Sequence, residues 1–224
     1  MIQPIEFLFP PEIGTQLIYS FIIIVCSLMI YNSTKEMYEL SSYKGIKYFR
    51  KAFLFFAVAY FSRYFINFFL IFLNINKISP RIVFGFSLFI FMYLNAMAAF
   101  YLLHSVLWKK LDNSKTKIYL FNFVALIIAV IATLFRSMLI SILLNLALLI
   151  FASLMLFIAY RNFKNKKKGK NLFVIYLLLF IFLVLNMIDI LIPRFLQLYQ
   201  LVIYLISISL FMTILYKVLK KTGA

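Results

Sequence analysis

The stretch IYLFNFVALIIAVIATLFRSMLISILLNLALLIFASLMLFIAY, Ile118 to Tyr160, carries a single charge, Arg136, in 43 residues. A hydrocarbon core of roughly 30 Å takes about 20 apolar residues per helix. The run is therefore too long for one membrane crossing and fits two antiparallel helices, 118–134 and 138–160, with a turn near Phe135 to Ser137. The rest of the chain agrees: 66% of its 224 residues are hydrophobic and the mean hydropathy is +1.03, far from a soluble average.

Working outward, the same ruler places five further spans at 13–34, 52–73, 82–107, 172–191 and 195–216. Asn74 to Pro80 reads as a turn between the second and third, and Pro193 with Arg194 ends the sixth. The fold class is thus all-α: a polytopic membrane bundle of seven transmembrane helices forming one domain over 1–224. Proline is confined to Pro4, Pro10, Pro11, Pro80 and Pro193, so continuous helices are expected.

The net charge of +17 would suggest nucleic acid in a soluble protein. Here the basic residues cluster between spans and most aromatics lie within them, which argues against a nucleic-acid partner. Eighteen Lys and Arg follow spans one, three, five and seven, the densest segment being Arg161 to Lys170. Four, Lys77, Arg81, Arg136 and Arg194, lie on the other side, and Arg63 is inside a span. Because cytoplasmic loops retain Lys and Arg, the expected protein is a multi-pass cell-membrane protein with its N-terminus outside and its C-terminus cytoplasmic. Met1 to Gly14 has Glu6 and Glu12 and no basic residue, the wrong sign for a signal peptide, and is expected to be retained.

Ionisable and amide groups within the spans are site hypotheses by default, since a charge there costs about 2.5–3.5 kcal/mol on insertion scales. Arg63 and Asn67 share one helical face at i, i+4, as do Asn186 and Asp189 at i, i+3. Gln197, Gln200 and Tyr204 repeat at three and four on the seventh span. All approach the outer boundary, so spans two, six and seven are expected to converge on a polar cluster, with Arg63 and Asp189 as its charged pair. It reads either as a ligand pocket or as a set of internal fasteners.

His104 falls close to Tyr101 and Trp108, where an interfacial helix end is expected. Asn95, Asn122 and Asn145 read as interhelical hydrogen bonders. Ala125, Ala129, Ala132 and Thr133, with Ala96, Ala98 and Ala99, allow close helix approach, either within the chain or in a homo-oligomer.

The single Cys26 permits no intramolecular disulfide and no cysteine-based metal site. With one histidine, no nucleophile–base pair, no paired carboxylates and no Gly-rich phosphate loop, no enzyme, metal or cofactor is expected.

The segment STKEMYELSSYKGIKYFR, Ser33 to Arg50, together with the span after it, resembles the junction of helices one and two in archaeal seven-helix membrane proteins. Some of these form the sensory region of membrane histidine kinases. The resemblance implies a region that perceives a signal and passes it to a cytoplasmic output domain. No kinase segment lies within these 224 residues, so the output is expected from a separate cytoplasmic signalling partner. Microbial rhodopsins share helix count and orientation but attach retinal through a lysine in the seventh helix, and Phe195 to Tyr216 has none. The sequence therefore points to a stand-alone receptor-like or sensory module that binds a small or lipidic ligand from the outer side. Its rivals are a transporter or channel subunit and a structural or assembly protein without a ligand. Membrane lipids are partners in every case, drawn to the basic segments at about 1 kcal/mol per charge.

Overall fold

A computed structural model describes residues 11–72, 80–108, 115–135, 138–166, 170–191 and 197–222. These residues form seven helices and no strand: α1 (Pro11–Ser41), α2 (Lys44–Phe72), α3 (Pro80–Leu107), α4 (Lys115–Phe135), α5 (Met138–Lys166), α6 (Lys170–Leu191) and α7 (Gln197–Thr222). Pro11 and Pro80 each open a helix, where the missing N–H would have had no intrahelical partner. The turns expected at Asn74 to Pro80, around Arg136 and at Pro193–Arg194 fall largely outside the described residues.

Helix ends and membrane edges differ. Lys35 to Lys51 reads as a connecting segment in the sequence, yet α1 runs on to Ser41 and α2 starts at Lys44. Lys, Glu, Met and Leu are good helix formers, so the helix outlives its apolar stretch. The α1–α2 connection is only Ser42 and Tyr43. Ser42 takes a left-handed conformation, φ 50°, and its N–H closes the last turn on the Tyr38 carbonyl at 2.8 Å. Such a tight turn presses on α3: the Tyr43 and Trp108 rings meet edge-on at 4.8 Å.

Gly45 is what permits this closeness. A Cβ there would stand 2.9 Å from the Ser105 carbonyl oxygen, 2.5 Å from the Tyr43 ring and 3.0 Å from Trp108. Gly45→Ala is therefore expected to cost about 1–3 kcal/mol through overpacking, read as a loss of unfolding free energy in detergent. Unchanged stability would mean that the turn is not held against α3.

Neighbouring helices alternate in direction. Tyr160 of α5 meets Phe173 of α6 at 5.7 Å, His104 of α3 meets Phe121 of α4 at 6.0 Å, and Ser105 of α3 bonds Tyr176 of α6 at 2.6 Å. One end of the bundle thus gathers the C-terminal ends of α1, α3, α5 and α7 with the starts of α2, α4 and α6. Lys35, Lys44, Lys47, Lys117, Arg161, Lys164, Lys217 and Lys220 all belong to this end, hereafter the basic end.

Among the described residues, packing runs in a ring, α1–α2–α3–α5–α6–α7 and back to α1, with α4 outside against α3 and α5. The middle of the ring is filled by large aromatic side chains from α2, α6 and α7. Phe53 and Phe56 of α2, Phe182 of α6 and Phe211 of α7 are all fully buried, and Phe182 meets Phe211 at 4.5 Å and 74°. Where backbones stand apart, only side chains of this size span the gap. On the flank the opposite device operates: Ala125, Ala129 and Ala132 of α4 are buried against a cluster that includes Ala96 and Ala99 of α3. The small-residue stripe is used inside the chain.

Large apolar side chains also cover the outside, including Phe21, Phe123, Leu134, Phe157, Leu198 and Tyr216. A soluble monomer rarely exposes patches on this scale. Among the described residues five helices are long and apolar enough to cross a membrane, with Phe173–Asp189 of α6 a shorter apolar helix. The protein is membrane-embedded and helical.

Candidate functional site

Four of the seven residues singled out in the sequence have described side chains that meet near one level of the bundle, away from the basic end, and tyrosines join them. Tyr60 of α2 donates to Asn186 Oδ1 of α6 at 2.9 Å, while Asn186 Nδ2 donates back to the Phe182 carbonyl of its own helix. Tyr60 also faces the Tyr19 hydroxyl of α1 at 3.5 Å. Tyr19 in turn stacks on Tyr204 of α7, 4.5 Å between centres and 15° between planes. One turn beyond Asn186, the Asp189 carboxylate accepts a hydrogen bond from Tyr204 and feels the positive charge of Arg63.

Arg63 is half-buried, and its guanidinium carbon lies 4.7 Å above the Phe91 ring of α3. A planar cation over an aromatic face gains about 0.5–2 kcal/mol, more when desolvated. Just below, the Ser87 hydroxyl of α3 donates to the Ser62 carbonyl at 2.9 Å. Arg63 is thus fastened on one side by α3 while its charge faces α6. Asp189 is the less satisfied partner: its Oδ1 is buried and has no hydrogen-bond partner among the described residues.

Gln200 is half-buried on α7, one turn from Tyr204. The side chains of Asn67 and Gln197 lie outside the described residues. The sequence reading missed Tyr19, Tyr60 and Phe91. Tyr60 had a signal, since Tyr60, Arg63 and Asn67 fall at i, i+3 and i+7 on one face. Tyr19 had none, being one tyrosine among fifteen.

His104, expected at an interfacial helix end, is packed against neighbouring helices near the basic end. It is 3% exposed, edge-on to Tyr48 of α2 at 4.0 Å, and its Nδ1 has no partner among the described residues. The early start of α2 is what covers it. Asn122 of α4 accepts from the Tyr93 hydroxyl of α3 at 2.7 Å, an interhelical bond. Among the described residues no three His, Cys, Asp or Glu side chains converge as a metal site would need.

The polar cluster can do two things chemically. Its mutual hydrogen bonds tie α1, α2, α6 and α7, and its open carboxylate oxygen can accept a donor from elsewhere. A protein of Archaeoglobus fulgidus described as uncharacterised is 32% identical to this chain over 225 aligned residues, 98% of this chain and 96% of its own length. No protein-family model and no solved structure matches the chain.

Proposed function

The chain belongs to the family of that Archaeoglobus fulgidus protein, and from this premise we propose that it is a receptor-like or sensory module crossing the cell membrane seven times. In this reading the N-terminus is outside, the basic end is cytoplasmic, and a small ligand reaches the cluster of Arg63, Asn186, Asp189 and Tyr204 from the outer side. The charge bias of eighteen to four supports the orientation, and the gathering of the described basic residues at one end fits it.

One observation carries the ligand: the buried, unpartnered Oδ1 of Asp189. Leaving a buried acceptor unmade costs about 1–3 kcal/mol, more when it is charged, so a donor that fills it binds with that gain. The chemistry calls for a small molecule with an ammonium, hydroxyl or amide N–H and an apolar remainder that suits the tyrosine walls. Output follows from the helices themselves. From Tyr19 α1 runs unbroken to Ser41, about 33 Å at roughly 1.5 Å per residue, and α7 runs from Tyr204 to Thr222. A ligand that parts the Tyr19–Tyr204 stack moves two stiff rods whose far ends lie at the basic end, where a cytoplasmic partner would meet them.

The test is a thermal-shift screen of the purified protein with small amines, polyols and amides, followed by titration of hits. A saturable hit weakened at least about 10-fold by Asp189→Asn, about 1.4 kcal/mol, without flux into proteoliposomes, is expected. Uptake of the same compound that depends on Asp189 would replace the receptor by a transporter.

A further inference from the structure

At the basic end, the Ser42–Tyr43 turn and the ends of α3, α6 and α7 enclose a cavity of about 100 Å³. Its walls include Met37, Gly45, Ile46, Phe49, Ile175 and Val218, with Thr34, Tyr43, Ser105 and Tyr176 supplying the hydroxyls. Those hydroxyls are largely committed: Thr34 donates to the Ile30 carbonyl at 2.7 Å, and Ser105 and Tyr176 share a hydrogen bond at 2.6 Å. The space is therefore apolar in character. It is of the same order as the roughly 150 Å³ apolar cavity that takes up benzene.

Charge marks the surroundings. Exposed Lys44 and Lys47 bracket Gly45 and Ile46, and Lys217 precedes Val218. Against them stands Glu36, next to Met37, since Glu39 is occupied by Lys35 at 4.0 Å. Other cations nearby are engaged: Arg50 donates to the Tyr31 carbonyl at 3.1 Å, and Lys51 lies over Tyr101.

We propose that this cavity is a second binding site, distinct from the Asp189 cluster, for a small anionic amphiphile. Its ring-sized or short alkyl group fills the space between α1, α2 and α6, and its carboxylate or phosphate is held by Lys44, Lys47 and Lys217. The site is reached from the water at the basic end. It includes the α1–α2 turn, so occupancy bears directly on how that turn sits against Trp108.

Trp108 is the chain's one tryptophan and touches Tyr43 at the cavity wall, which makes it the reporter. The full chain in non-ionic detergent is titrated with 6-bromohexanoate, whose bromine quenches indole emission. Saturable quenching is expected, at least about 10-fold weaker for the cationic 6-bromohexyltrimethylammonium. Hexyl phosphate should relieve it and inorganic phosphate should not. Val218→Phe, which fills the cavity, should abolish it. Lys44→Gln with Lys47→Gln, both on the surface, should raise the half-saturating concentration about 5–10-fold. Quenching that is linear in concentration, equal for the two probes, or untouched by the lysine pair overturns the site, whether or not the Val218 variant folds.

Discussion

Phe182→Ala should lower the unfolding free energy of the detergent-solubilised protein by about 3 kcal/mol. Phe182 is fully buried and meets rings from two other helices, Phe56 at 6.3 Å and Phe211 at 4.5 Å. In a water-soluble core, Phe→Ala costs about 3–5 kcal/mol, part of it the transfer of the ring out of water. That part shrinks here, because the unfolded helices stay in an apolar medium. What remains is the lost dispersion contact and the cavity, which helices held apart by their aromatic filling cannot close. The expectation therefore sits at the low end of the range. Phe157→Ala is the control: its ring is 64% exposed on the outer face, and the change should stay within about 0.5 kcal/mol. Equal losses at the two positions would mean that the ring of helices is not packed around Phe182.

The contrast between these two phenylalanines marks where sequence reading stops. Both lie in uniform apolar stretches, and in a span that is apolar all round no periodicity separates the core face from the lipid face. Helix number and order were legible, because span length against bilayer thickness and the spacing of lysines are one-dimensional signals. The helix ends around Ser42 were not, since charged helix formers hide the difference between leaving the membrane and leaving the helix.

The candidate site divides the same way. Arg63, Asn186 and Asp189 stood out because a polar group in an apolar run is costly enough to need a reason. Tyr19 entered through its hydroxyl contact with Tyr60 and its stack on Tyr204, the latter between residues 185 apart, which no local pattern announces. The basic-end cavity was invisible for the opposite reason. Met37, Ile46, Ile175 and Val218 are ordinary apolar residues, and only their arrangement leaves space. The burial of His104 was equally hidden, because Tyr48, which covers it, lies in a charged stretch that reads as a connection.

The second large effect is expected at the charged residues. Arg63→Leu and Asp189→Leu should each cost about 3 kcal/mol, because either change leaves the other charge in the apolar interior without its counterpart. The two costs should not add. With both charges gone, nothing is left to desolvate, and the double variant should be more stable than the sum of the single losses predicts by at least about 1 kcal/mol. Part of the Arg63 loss is insensitive to Asp189, since removing the guanidinium also forfeits the contact over the Phe91 ring. Arg63→Lys isolates that part: it keeps a cation but not the planar stack, and should retain the coupling while losing some stability. Strict additivity would separate the two residues, leaving Arg63 as a fastener of α2 to α3 and Asp189 as a partner of Tyr204 alone. A coupling that persists, together with a ligand whose affinity depends on Asp189, would make the same carboxylate both the tie between helices and the group that a ligand must reach, so that binding necessarily loosens what holds α2 and α7 to α6.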